Sequence, residues 1–314
     1  MQTPDRLRGV MGACLTPFTS TGEIDHTALT AELEDLVPDC DAIAIGAVEA
    51  AEYHVLGDPA RWSLLERSIE VVDGRVPVLA GASAATPADV LRRLEGAAER
   101  GADLGYVLMP STPWGGQPSP GALLRFFTEV SRSSPLPVVA YHNPANGADP
   151  DVPTLIELSH LDAIVGFKES SRDITKISRL IHEIDLPGHA SYFTTMQPML
   201  ITLLLGGAGA TMPPPGTRIA ARIRDAHAAG DIDLAVAWQR IFAYFPGLWG
   251  RHGLAPVMKA AMRSLGVELG DPAHPFDAVP DDAASHLAAF LADCGVVQGA
   301  PADVDRLQAL AAAR

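Results

Sequence analysis

Basic charge is what this chain most lacks. Among its 314 residues, 23 lysines and arginines face 38 aspartates and glutamates, a formal net charge of −15. Binding nucleic acid needs a basic face that displaces counterions from phosphates, so nucleic acid is not an expected partner. Long apolar runs are missing too. No uncharged stretch reaches the roughly 20 residues that span a bilayer, and no membrane partner is expected. Residues Met1 to Arg6 show no apolar segment of the kind that directs secretion. Cysteine is scarce: Cys14, Cys40 and Cys294 lie far apart, without metal-ligand spacing or the density of a disulfide framework. These absences point to a reducing, cytoplasmic setting. What remains, 47% hydrophobic and 19% charged residues, is the composition of an ordinary globular enzyme.

Lysine is scarcer still, with three residues against twenty arginines. Lys176 and Lys259 sit within amphipathic stretches that read as helices. Lys168 is different, because it ends the apolar run Ala163-Ile164-Val165-Gly166-Phe167. Such a run reads as a strand buried on both faces, and an ammonium at its end leaves the apolar layer at the rim of the sheet. Partial burial there disfavours the charged form, lowers the pKa and makes a lysine usable as a nucleophile. A strand-end lysine can equally snorkel to solvent.

Seven more short apolar runs accompany it: Val10 to Leu15, Ala42 to Ala47, Val76 to Ala80, Leu104 to Met109, Pro137 to Tyr141, Tyr192 to Thr195 and Ala208 to Met212. They are mostly continuous rather than alternating, as parallel strands covered by helices should be. Helix punctuation lies between them. Thr86 is placed to cap, Pro87 suits a first turn, Val90, Leu91, Leu94, Ala97 and Ala98 form one stripe, and Gly101 stops it. Pro118, Ala122, Leu123, Phe126, Phe127 and Val130 repeat the scheme. Eight such units in series predict an α/β fold, a (β/α)₈ TIM barrel over residues 1–229. A doubly wound open sheet is the rival, but Cys14 to Phe18 after the first run is no glycine-rich dinucleotide turn. Residues 230–314 read as additional C-terminal helices packed on the barrel, with helical stretches over Gly230 to Tyr244, Ala255 to Leu265, Asp281 to Cys294 and Ala302 to Ala313.

Barrel chemistry lives at the C-terminal ends of the strands. Here those ends read Thr16-Pro17-Phe18, Val48-Glu49-Ala50-Ala51-Glu52-Tyr53, Met109-Pro110-Ser111-Thr112-Pro113-Trp114, Tyr141-His142-Asn143-Pro144 and Lys168-Glu169-Ser170, with Gly206-Gly207-Ala208-Gly209-Ala210-Thr211 leading into the last strand. A phenol and an amine on neighbouring strands suit Schiff-base chemistry. The amine attacks a carbonyl, and protons then move to and from the carbinolamine oxygen. Thr16-Pro17-Phe18, Glu52 with Leu56 and Arg61 after it, Tyr141-x-Asn143-Pro144, Gly166-x-Lys168-Glu169-Ser170 and Gly206-Gly207-x-Gly209 occur in this order and spacing. Together they resemble the dihydrodipicolinate synthase and N-acetylneuraminate lyase superfamily of class I aldolases, roughly over residues 8 to 295. The resemblance implies that Lys168 is the Schiff-base lysine and Tyr141 the proton-transferring phenol. It also implies a homo-oligomer, dimer or tetramer, with no metal or organic cofactor.

The departures are as informative. In that superfamily the loop after strand two usually reads Gly-Thr-Thr-Gly-Glu or Gly-Ser-Thr-Gly-Glu, and its hydroxyls and amides hold the carboxylate of pyruvate. Here both hydroxyls are gone, with Glu49 and Ala50 in their place. A carboxylate there should repel a substrate carboxylate unless it is protonated or paired. Either Glu49 joins the acid/base relay or recognises a cationic or hydroxylated group, or it turns aside to pair with an arginine. The loop tyrosines of the lysine-pathway enzymes are replaced by Ser111 and Thr112, and their arginine beyond strand five by Asn146. Trp114, with Asn143-Pro144, is more like the hydratase-aldolases of aromatic degradation, or else packs only. His142 and His54 read as supports, Cys14 as a small core residue, and Glu49, Glu52 and His54 lack metal-ligand spacing.

The expectation is therefore a lyase, an aldolase or hydratase-aldolase, acting on a small-molecule carbonyl substrate such as pyruvate or another 2-oxo acid. Lys168, Tyr141 and Glu49 are its candidate catalytic residues; Ala50, Trp114, Asn143 and Thr211 are its candidate substrate contacts. A 2-keto-3-deoxy sugar acid dehydratase of the same fold, or a ligand-binding barrel that has lost turnover, are the alternatives.

Overall fold

The computed structural model describes residues 6–111 and 115–312. Eight strands form: β1 (Gly9–Ala13), β2 (Ala42–Ile45), β3 (Val78–Gly81), β4 (Leu104–Leu108), β5 (Val138–His142), β6 (Ile164–Glu169), β7 (Ser191–Thr194) and β8 (Gly209–Met212). Each pairs in parallel with the next, and β8 pairs with β1, closing the barrel. Nearly every strand residue is buried, because side chains of one parity fill the barrel and those of the other meet the helices. This is why the runs are continuous. The closing seam depends on a close backbone approach: a β-carbon on Gly209 would lie 1.9 Å from the Gly9 carbonyl oxygen.

Helices α1 (His26–Leu36), α2 (Asp58–Val72), α3 (Pro87–Glu99), α4 (Pro120–Ser133), α5 (Val152–Leu158), α6 (Ile174–Leu180), α7 (Met199–Leu204) and α8 (Gly216–Ala228) alternate with the strands. Local chemistry sets their ends. The Thr86 hydroxyl accepts from Asp89 N at 3.2 Å and starts α3; Gly101, at a φ of 89°, turns the chain away after it. Helix α4 starts at Pro120 rather than Pro118, because Ser119 supplies the cap, accepting from Ala122 N at 3.2 Å.

Helices α9 (Ile232–Tyr244), α10 (Trp249–His252), α11 (Leu254–Ser264), α12 (Asp281–Asp293) and α13 (Val304–Ala312) follow. Gly230, at a φ of 77°, and the Asp231 cap delay α9 by two residues relative to the periodicity. Trp238, Ile241, Phe290, Leu307 and Leu310 join the apolar core that contains β1 and β2. Lys259 lies on the helix its amphipathic stretch indicated, and its side chain is only 2% exposed, because α11 packs against the turn that follows β2. Among the described residues no helix is long and apolar enough to cross a membrane.

Candidate active site

Register brings the amine and the phenol together. Strands β5 and β6 shift register between Val138 and Val139, after which Tyr141 is the direct partner of Lys168. Partners in register point to the same face, so both enter the barrel mouth. Lys168 Nζ stands 4.0 Å from the centroid of the Tyr141 ring and donates to Ser170 Oγ. The lysine does not snorkel, being 6% exposed. Burial pulls its pKa from 10.5 down to about 8, against the fields of Glu49 and Glu169, and Arg172 adds to the fall.

Glu49 faces the same space. It begins a single 3₁₀ turn, Glu49–Ala51, after β2. Among the described residues it is paired with a phenol and two amides, and not with an arginine. Tyr141 OH donates to Glu49 Oε2 at 2.7 Å; Asn143 Nδ2 and Asn146 Nδ2 donate to Oε1 at 3.0 and 2.7 Å. Asn143 Nδ2 also lies 3.0 Å from Tyr141 OH. Burial raises the Glu49 carboxyl, but the nearby Lys168 charge and these hydrogen bonds outweigh it, and the carboxyl stays below its ordinary range. Burial and the Glu49 charge push the Tyr141 phenol well above its own. The phenol thus keeps its proton and shares it with a carboxylate.

The turn is held from three sides. Thr16 Oγ1 donates to Ala51 O at 2.6 Å. Arg61, buried, donates to Gly46 O and Gly81 O at 3.1 Å and to Tyr53 O at 3.0 Å. Glu52, in the left-handed region at a φ of 52°, accepts from Ala273 N at 2.7 Å and lies 2.8 Å from Lys259 Nζ, an ion pair whose angle departs from hydrogen-bond alignment. Burial draws Lys259 below its usual range although Glu52 opposes it. The hydroxyls of Tyr106 and Thr211 are both buried and near one another; burial pushes the Tyr106 phenol well above its ordinary range, and the Thr211 hydroxyl opposes the rise. Ala50 is fully buried.

A chain with these motifs on this barrel can be compared with known proteins. Residues 6–293 match the Dihydrodipicolinate synthetase family. The chain belongs to that family. A 4-hydroxy-tetrahydrodipicolinate synthase of an Exiguobacterium species is 29% identical over 274 residues, covering 85% of this chain and 91% of the relative. Two solved structures share the fold. A prophage protein of the dihydrodipicolinic acid synthase family from E. coli K12, in complex with pyruvate, has a TM-score of 0.84 at 24% identity, over 91% of this chain and 97% of its own. A monomeric dihydrodipicolinate synthase variant has a TM-score of 0.85 at 20% identity, over 91% and 96%.

Around Lys168 the strand alternates. Lys168 points into the barrel, and Glu169 points outward into a separate network around the buried His142. Glu169 Oε1 lies 3.1 Å from His142 Nδ1, Asp149 Oδ1 lies 2.8 Å from His142 Nε2, and Tyr192 OH donates to Glu169 Oε2 at 3.2 Å. His142 therefore ties the two site strands together from behind. Trp114, expected among the substrate contacts, lies outside the described residues. Ser170 stood in the sequence motif without a role, and its place two residues after Lys168 was the signal for one; the Glu52–Lys259 pair escaped sequence reasoning, since its members come from opposite halves of the chain.

Proposed function

We propose that this protein is a lyase that forms a Schiff base between Lys168 and the carbonyl carbon of a 2-oxo acid or a related carbonyl compound. The observation that carries this is the buried Lys168 amine, with a pKa of about 8, facing Tyr141. At pH 7 about one such amine in ten is neutral, against roughly one in three thousand for a lysine at 10.5. The neutral nitrogen attacks the carbonyl carbon. The carbonyl π pair moves to oxygen, and the carbinolamine nitrogen loses a proton. Tyr141 passes that proton to Glu49 and brings it back to the alkoxide, giving the neutral carbinolamine; a second proton, drawn from solvent, reaches the same oxygen as it departs, so that water leaves and a protonated imine remains. The imine then accepts the electron pair of an adjacent carbon–carbon bond as it breaks, or releases one as it forms.

Tyr141 acts in this scheme as a relay rather than as a store. Its raised pKa keeps a full tyrosinate from accumulating, and Glu49 is the group that holds the proton between steps. Asn143 and Asn146 fix the carboxylate, while Thr211 is the candidate for a hydroxyl contact to the substrate.

Borohydride trapping with pyruvate tests the assignment. Three lysines make the mass assignment simple. The added mass should fall on the peptide containing Phe167-Lys168-Glu169, and Lys168→Ala should lose it while remaining folded. An adduct on Lys176 or Lys259 would overturn the assignment. Product analysis then separates aldol cleavage from dehydration. A homo-oligomer of closed symmetry belongs to the same proposal, and light scattering that finds only a 33.1 kDa particle would count against it.

A further inference from the structure

Four residues beyond Lys168, the chain leaves β6 for α6 through Arg172. The backbone there has a φ of 61°, in the left-handed region that penalises a β-carbon and favours glycine. Strain of this kind persists where the surrounding structure imposes it and gathers at ligand-binding segments. The side chain is oriented as well. Arg172 Nε donates to Gln197 Oε1 at 2.8 Å, and Gln197 stands beyond the end of β7, the neighbour of β6. That bond leaves both terminal amino groups of the guanidinium without a carboxylate partner among the described residues. Arg172 also lies near enough to Lys168 for like-charge repulsion to be felt there.

Several of the other charged and amide donors around the mouth are already engaged among the described residues. Lys176 donates to Asp149 Oδ1 at 3.2 Å and to Pro150 O at 2.9 Å. Arg61 is spent on backbone carbonyls. The phenol of Tyr141 and the amides of Asn143 and Asn146 all serve the Glu49 carboxylate. Glu49 thus sits as an internal anion on these three inner donors, and at the rim Arg172 presents an oriented fork with no carboxylate partner among the described residues.

We propose that Arg172 is a specificity-determining residue that receives a carboxylate of the substrate, placed away from the carbonyl carbon that Lys168 attacks. A planar guanidinium with two free amino groups matches a carboxylate in bidentate geometry. The substrate class is accordingly a carbonyl compound with a distal carboxylate. This rests on the Schiff-base role of Lys168.

Succinic semialdehyde and butanal probe it, one with a distal carboxylate and one without. Borohydride trapping on Lys168 should half-saturate with succinic semialdehyde at a concentration about tenfold below that for butanal. Arg172→Gly removes the fork and suits the left-handed backbone, so it should fold and bring the ratio of the two to about one. Arg172→Lys keeps the charge, loses the fork and should give an intermediate ratio. A wild-type ratio near one, or a preference that survives in Arg172→Gly, overturns the assignment. No adduct on Lys168 with either aldehyde sinks the Schiff-base role, and this proposal with it.

Discussion

Replacing Glu49 by glutamine removes one negative charge and keeps the side chain's size. In the wild type that charge is the first of the influences that oppose burial in setting Lys168 at about 8. Removing an anion beside an ammonium destabilises the charged form, so the amine should lose its proton at lower pH. At pH 7 a group titrating at about 8 is neutral in about a tenth of molecules, which caps the gain in neutral amine at about tenfold. The same change takes away the acceptor of the 2.7 Å hydrogen bond from Tyr141, so proton transfer should slow by roughly 10²- to 10⁴-fold. The two effects separate in two assays. The rate of borohydride inactivation by pyruvate, followed from pH 6 to 9, gives the midpoint of the attacking amine. Steady-state turnover reports the proton relay. In Glu49→Gln the midpoint should move below about 8 while turnover falls. A midpoint that stays in place or rises would refute the reasoning, because Lys168 would then not feel Glu49.

Tyr141→Phe keeps the ring beside Lys168 and removes only the relay, so turnover should fall by roughly 10²- to 10⁴-fold; a change of less than about threefold would give the proton to another group. Glu32 is fully buried, and burial raises its carboxyl from 4.5 to about 8, against the hydrogen bond from Leu15 N. A carboxyl raised on folding supports the fold below about pH 4.5 and loses that contribution as the pH climbs to about 8, a swing of several kcal/mol, roughly. Thermal melts of Glu32→Gln from pH 5 to 9 should lack that part of the decline; curves parallel to wild type would show that Glu32 does not titrate in this way. Lys259→Met strands a buried carboxylate and should cost about 3–5 kcal/mol in urea denaturation. Adding Glu52→Gln should recover part of the loss, and a single-variant cost under about 1 kcal/mol would mean the pair is not what holds the turn.

The architecture was legible because each part of it is written locally. Parallel strands covered on both sides by helices read as unbroken apolar runs, and caps such as Thr86 and stops such as Gly101 lie beside the helices they bound. Where local signals compete the reading slipped by a turn or less, as at Ser119, whose cap overrode the earlier proline. Lys168 was legible for the same reason: an ammonium at the end of an apolar run is a local anomaly.

Glu49 was not decided there. A carboxylate on a short turn can face the pocket or leave it, and the choice is made by Tyr141, Asn143 and Asn146, more than ninety residues along the chain. The helical period of α11 likewise says that Lys259 lies on a helix, but not which neighbour covers it; packing against the Glu49–Ala51 turn turned a polar position into a buried ion pair. Arg172 needed the backbone itself, since no residue pattern announces a positive φ. Propensity, capping and burial depend on neighbours in sequence. The charges and hydrogen bonds that set this site depend on neighbours in space, and only closing the barrel, which sets β5 beside β6 and β7, brought those together.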